Sequence, residues 1–119
     1  MKASIVIANY NNAKFINECI NSLNSQTYKN IEIIFFDDNS KDNSVEIIKK
    51  FKNIKVIENN TQTNFATLNQ MNAFKKAIEA SSGDIIFFLD SDDYFHEKKI
   101  ERIIKIFSEE NDKMIIFDY

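Results

Sequence analysis

Ile85-Ile86-Phe87-Phe88-Leu89-Asp90-Ser91-Asp92-Asp93 is the stretch from which the rest of the chain can be read. Five consecutive apolar residues, short and rich in Ile and Phe, indicate a buried strand. Three carboxylates in the next four positions indicate what that strand delivers. Like charges this close raise one another's pKa and strain the chain unless a cation offsets them, and an all-oxygen donor set favours a hard ion such as Mg2+ or Mn2+. A solvated turn capping a helix that begins near His96 is the plainer alternative, since acids also suit a helix N-terminus. Position favours the cation: a buried strand that ends in three acids asks for more than a cap.

Working outward, Ser4 to Ala8, Ile31 to Phe36, Ile54 to Ile57 and Met114 to Phe117 repeat the apolar strand pattern. Helical spacing lies between them: Phe15, Ile16, Cys19, Ile20 and Leu23; Val45, Ile48 and Phe51; Leu68, Met71, Phe74 and Ile78; Ile100, Ile103, Ile104 and Phe107. Asp42-Asn43-Ser44 supplies cap-type residues for the second helix, and Ser81-Ser82-Gly83 a stop after the third. Strict alternation of strand and helix predicts an α/β domain with right-handed crossovers and a mostly parallel sheet covered on both faces. Such sheets bind ligands beyond the carboxyl ends of their strands. The loops there are Asn9 to Ala13, Asp37 to Asp42, Asn59 to Asn64 and Asp90 to Tyr94.

Two of these loops add to the acidic run. Asp37-Asp38-Asn39-Ser40 offers a carboxylate that could accept the imide N–H of a uracil or a ribose hydroxyl, although Asn39 also suits a left-handed turn. Asn9-Tyr10-Asn11-Asn12 places a ring beside the same crevice, where stacking on a nucleobase would contribute about 1–3 kcal/mol. A structural tyrosine fits the loop equally well.

Composition removes the common rivals. One glycine, Gly83, and no proline exclude both the Walker loop and the dinucleotide fingerprint, which need several glycines to bring backbone amides onto phosphate. Phosphate charge would then have to be met by basic side chains or a metal. Fifteen Lys and Arg against eighteen Asp and Glu, with a net charge of -3 and no dense basic run, argue against nucleic acid. Residues 1–119 fit one domain, with no apolar run long enough to span a bilayer and no export signal at Met1-Lys2-Ala3. The lone Cys19 lies on an apolar helical stripe and reads as core in a reducing compartment. His96 is the only histidine, so no histidine cluster for zinc exists. The Lys49-Lys50-Phe51-Lys52 and Lys98-Lys99 groups read as solvated helix faces. A cytoplasmic protein, at most peripheral to the inner face of the membrane, is expected.

On these residues the chain resembles the N-terminal, nucleotide-sugar-binding half of family 2 glycosyltransferases, which have the GT-A fold. Ser4-Ile5-Val6-Ile7-Ala8-Asn9-Tyr10-Asn11 is similar to the family's opening strand and Tyr-Asn loop. Ser22-Leu23-Asn24-Ser25-Gln26-Thr27-Tyr28 and Asn30-Ile31-Glu32-Ile33-Ile34 resemble its first-helix exit and second strand. Asp37-Asp38-Asn39-Ser40 stands at its paired acids, and Gly83 to Asp93 matches its Asp-x-Asp strand. The resemblance implies that Ala8 and Tyr10 line the nucleobase pocket and that Asp38 reads the base edge. It further implies that Asp90 and Ser91 belong to the nucleotide site and that Asp92 and Asp93 hold Mn2+ or Mg2+, Asp92 as the most direct ligand. The implied activity is inverting transfer from a nucleotide sugar, a uridine diphosphate sugar foremost, to a hydroxyl of a saccharide or lipid-linked saccharide. The general base and the acceptor half are then expected beyond Tyr119.

Departures are local. Ala8 stands at a Pro or Thr position of the family, and Asn39 at a Gly position. The segment from Asn64 to Ala77 lacks the family's arginine, which leaves Asn72, Lys75 and Lys76 as candidates to face the ligand. A phosphoacceptor receiver domain would need acids after the first strand and an acceptor Asp after the third, where Asn9-Tyr10 and Glu58-Asn59 stand. A phosphatase would need its Asp-x-Asp after the opening strand. A non-catalytic binding module remains the third alternative.

Overall fold

The alternating pattern is realised as β1 (Ala3–Asn9), α1 (Ala13–Asn24), β2 (Ile31–Asp37), α2 (Ser44–Ile48), β3 (Ile54–Glu58), α3 (Ala66–Ala80), β4 (Ile85–Asp90) and α4 (Lys99–Glu109). The computed structural model describes residues 1–59 and 66–109. The run Met114 to Phe117, expected as a strand, and the loop beyond Asn59 lie outside the described residues. The four strands pair in parallel in the order β3-β2-β1-β4.

That order follows from the crossovers. The first two carry the chain from β1 to β2 to β3 in one direction, and the third returns it past both neighbours to β4. If each crossover is right-handed, the reversal moves the connecting helix to the opposite face. The cores agree. Ala3, Ile5, Ile7, Ile33, Phe35, Phe87 and Leu89 pack with Ile16, Cys19, Ile20 and Leu23 of α1, Ile48 of α2 and Ile100 and Ile104 of α4. Val6, Ile34, Ile57 and Ile86 pack with Phe74 and Ala77 of α3 on the other side. Alternate residues of each strand therefore feed two cores, and each fully buried Ile or Phe stabilises the fold by about 1.5–3 kcal/mol. Cover is uneven, because α3 sits over β1 and β2. Phe88 of β4 stays 52% exposed although its ring meets Phe74 edge-on at 5.1 Å.

Two helix boundaries differ from the sequence expectation. Phe51 lies beyond α2, since Lys50 N–H and Phe51 N–H bond the carbonyls three residues back, of Ile47 and Ile48, in a tight turn. The last helix begins at Lys99 rather than near His96, and the His96 carbonyl accepts both the Lys99 N–H at 2.9 Å and Gln26 Nε2 at 2.8 Å. Ser81-Ser82-Gly83 does follow the end of α3. Gly83 has a steric reason to be glycine: a Cβ there would lie 2.5 Å from Ser4 Oγ and 2.9 Å from the Lys2 carbonyl. Among the described residues, no helix is long and apolar enough to cross a membrane.

Candidate functional site

The reversal of direction between β1 and β4 makes the switch point at which parallel sheets open a crevice at their carboxyl edge. Register decides what meets there. Ala8 pairs with Phe36 on one side and Asp90 on the other, and Asn9 pairs with Asp37. The loops after β1, β2 and β4 are thus brought to one edge, as the sequence expectation required.

In the second loop the two neighbouring acids have different occupations. Asp37 is 2% exposed and its oxygens accept Asn9 Nδ2 at 2.7 Å, Ser40 N–H at 2.9 Å and Ser40 Oγ at 2.6 Å. It closes the turn that carries Asn39 at φ 56°, a left-handed conformation asparagine tolerates. Asp38 is half-buried at the crevice, its N–H bonded to the Asn9 carbonyl and its Oδ1 accepting Asn59 Nδ2 at 3.0 Å. The first loop is laced to the second: Asn11 N–H donates to Ser40 Oγ, Asn11 Oδ1 accepts Lys41 N–H at 2.7 Å, and Asp42 Oδ2 accepts Ala13 N–H. Tyr10 is held between these contacts, 52% exposed, with Ala8 half-buried behind it.

The acidic turn continues the β1 ladder by one bond, Ser91 N–H to the Ala8 carbonyl at 3.1 Å, and closes with Asp93 N–H on the Asp90 carbonyl. Asp90, Asp92 and Asp93 are exposed, while Ser91 between them is wholly buried. Partial desolvation first, then the charges of Asp92 and Asp93, push the Asp90 carboxyl above its ordinary range. The ion pairs found among the described residues involve Glu32 and Glu58 and none of these three acids. Among the described residues, no three acid, His or Cys groups converge to form a metal cage. Asp92 and Asp93 nevertheless fit an ion of the Mg2+ or Mn2+ type, which commonly takes one or two carboxylates and completes its shell with phosphate oxygens and water.

Ser91, expected at the nucleotide, turns its hydroxyl inward: it donates to Asn9 Oδ1 at 2.7 Å and accepts Asn12 Nδ2 at 3.1 Å. Asn72, Lys75 and Lys76 are all exposed on α3. Cys19 is buried with its sulfur 4.0 Å from the Asp90 carbonyl, and burial first, then the charges of Asp93, Asp92 and Asp90, push its pKa up to about 12. It is core, as its place on the stripe indicates. Sequence reasoning passed over two residues under the site. In the sequence Asn9 is one of three amides in the Asn9-Tyr10-Asn11-Asn12 loop. Gln26, also fully buried, bonds the carbonyls of Ser22 and His96 and the Ile100 N–H, anchoring the segment after the acidic turn to α1. A polar residue directly following a buried apolar run was the available signal for Asn9, whereas Gln26, among Asn24, Ser25 and Thr27, carried none.

The family profile of glycosyl transferase family 2 matches residues 4–119. The chain belongs to that family, and its sheet and helices are those of the GT-A class. It is 40% identical over 118 residues to UDP-Glc:alpha-D-GlcNAc-diphosphoundecaprenol beta-1,3-glucosyltransferase WfaP of Escherichia coli, covering 98% of this chain and 44% of that one. It is 39% identical over 117 residues to the poly(ribitol-phosphate) beta-glucosyltransferase of Bacillus spizizenii, covering 93% of this chain and 18% of that one. Among solved structures, S. aureus TarS 1-349 in complex with UDP-GlcNAc aligns with a TM-score of 0.80 at 28% identity, over 92% of this chain and 32% of that one. The chain spans less than half the length of these relatives.

Proposed function

We propose that this chain binds the nucleotide-sugar donor, a uridine diphosphate sugar, of an inverting glycosyltransferase that acts on a hydroxyl of a saccharide or lipid-linked saccharide at the cytoplasmic side of the cell. The observation that carries the reading is the convergence on Ala8 of two unlike acidic loops, one presenting Asp38 and the other Asp90 to Asp93. The relatives support the donor, since the E. coli protein's name specifies UDP-Glc and the S. aureus structure holds UDP-GlcNAc.

In this reading Tyr10 stacks on the base, Asp38 accepts the imide N–H, Asp90 faces the ribose, and Asp92 with Asp93 holds Mn2+ or Mg2+. A bound divalent ion supplies charge neutralisation for the diphosphate leaving group. The residues of this chain bind and orient the donor. Inversion also requires a base opposite the leaving group. None of the residues assigned here takes that part, and the base belongs to the acceptor-binding portion of the enzyme. A receiver domain does not fit these strand ends, because β1 ends on Asn9 where it needs an acid and β3 on Glu58 where it needs its acceptor aspartate.

Calorimetry of the chain with uridine diphosphate and Mn2+ tests the reading. Metal-dependent binding that Asp92→Ala abolishes is the expected result. Absence of binding by the unaltered chain, or equal binding by the variant, would refute it.

A further inference from the structure

Asn9 ends β1, an inner strand with β2 on one side and β4 on the other. Its side chain is 3% exposed and uses both ends of its carboxamide. The NH2 group donates to Asp37 Oδ1 at 2.7 Å and Ser40 Oγ at 3.2 Å in the loop that carries Asp38. The carbonyl accepts the Ser91 hydroxyl at 2.7 Å, in the middle of the acidic turn. The orientation satisfies both neighbours: the Asp37 carboxylate accepts from the NH2 group, and the single proton of the Ser91 hydroxyl goes to the Asn9 carbonyl while its oxygen accepts from Asn12. One buried amide therefore joins the two loops that the donor would span.

We propose that Asn9 is a positioning residue that holds the Asp38 loop and the Asp90–Asp93 turn in a fixed relation, acting through Asp37 and Ser91 without touching the nucleotide itself. Its link to donor binding rests on the function proposed above; the mechanical link between the loops does not. A ligand that must meet Asp38 at one end and Asp92 at the other gains from having both preset. A ligand that touches one loop alone does not. Hydrogen bonds of this kind are buried and charge-assisted on the Asp37 side, so their loss leaves unpaired groups that water cannot reach. Substituting aspartate at position 9 sets a second carboxylate against Asp37. Exchanging the two, Asn9→Asp with Asp37→Asn, restores a donor opposite an acceptor with the same total charge.

The test uses Ser91→Ala, the mildest cut, alongside Asn9→Asp and the exchanged pair. In the free chain, Ser91→Ala is expected to speed amide exchange at Asp38 and Ser40, across the sheet from the substitution, by about tenfold, the scale of one hydrogen bond. With Mn2+ present, Ser91→Ala is expected to weaken uridine diphosphate about tenfold and Asn9→Asp more. Uridine alone and Mn2+ alone should change less than twofold for Ser91→Ala, and the exchanged pair should recover most of the affinity. A purely structural loss would lower the melting temperature without selecting the spanning ligand. Unchanged exchange at Asp38 and Ser40 in Ser91→Ala would overturn the clamp whether or not any nucleotide binds. Accelerated exchange in a chain that ignores uridine diphosphate would uphold the clamp and reject the donor reading instead. Equal weakening of uridine and uridine diphosphate would also count against Asn9 as a positioning residue.

Discussion

Asp42 Oδ2 accepts the N–H of Ala13 at 3.0 Å, so the first turn of α1 is capped by an acid from the neighbouring loop and not by its own Asn12, whose side chain makes no capping bond. The same carboxylate receives the N–H and hydroxyl of Ser44 at the start of α2. Burial alone would raise its pKa, but the Ser44 hydroxyl and the N–H groups of Ala13 and Ser44 outweigh it and hold the group below its ordinary range. Asp42→Ala should destabilise the chain by about 1 kcal/mol, as loss of a helix cap does. Urea unfolding at pH 7 measures this directly, and a midpoint equal to the unaltered chain would remove the role.

Asp37 and Asp38 should separate stability from binding. Asp37→Ala takes the acceptor from three buried or half-buried donors and is expected to cost about 2–3 kcal/mol of stability. Asp38→Ala should unfold within about 1 kcal/mol of the unaltered chain, in keeping with its half-buried place, yet lose affinity for uridine diphosphate. Paired melting and calorimetry on both variants decide the matter, and the reverse pattern would show that the acids have been assigned the wrong way round.

At the opposite end of the sheet, Glu32 accepts the Ser4 hydroxyl and the Ser82 N–H, each at 2.5 Å, and pairs with Lys2 and Lys55. Desolvation works against its charge, but these hydrogen bonds prevail and hold its pKa far below the usual carboxylate range. A carboxyl whose pKa is depressed on folding contributes stability that is fully present above the unfolded value, about 4.3, and is lost as pH falls through the folded one. Stability of the unaltered chain should therefore decline below about pH 4. Glu32→Gln should be less stable at pH 7 and show a shallower decline, read from urea midpoints between pH 7 and pH 2.5.

Gly83→Ala tests the same corner by steric means. The added methyl would meet Ser4 Oγ at 2.5 Å and the backbone nitrogen of Ser4 at 2.7 Å. Because a backbone atom cannot swing aside, the expected cost is about 1–3 kcal/mol, with a lower melting temperature. A variant as stable as the parent would mean that the loop before β4 yields more easily than its contacts indicate.

Cys19 offers a probe of unfolding. With its thiol buried and its pKa pushed up to about 12, by burial first and then by the charges of Asp93, Asp92 and Asp90, hardly any thiolate exists at pH 8. An aromatic disulfide reagent should react with the native chain far more slowly than with the chain in urea. Comparable rates would contradict the placement of Cys19 in the core.

The strands were legible because each is a short run dominated by Ile, Val and Phe, unbroken over five residues at β4, and the strand ends fell within a residue of the structure at β1, β2, β3 and β4. The convergence of the loops at one edge followed from alternation alone. Boundaries that hang on one or two hydrogen bonds were not legible: α2 stops at Ile48 although Phe51 keeps the spacing, and α4 starts at Lys99, whose N–H shares the His96 carbonyl with the Gln26 side chain.

Chain order and residue type alone determined the α/β class, the absence of a glycine phosphate loop, and the gathering of acids at the carboxyl edge, since each depends on local pattern and on handedness. Which acid is spent on the fold and which faces the crevice was decided only in three dimensions. Neighbouring side chains at a strand end point opposite ways, and their direction is set by the register against the next strand. Asn9 opposite Asp37 is such a register, and it turns an ordinary asparagine into the bridge between two loops.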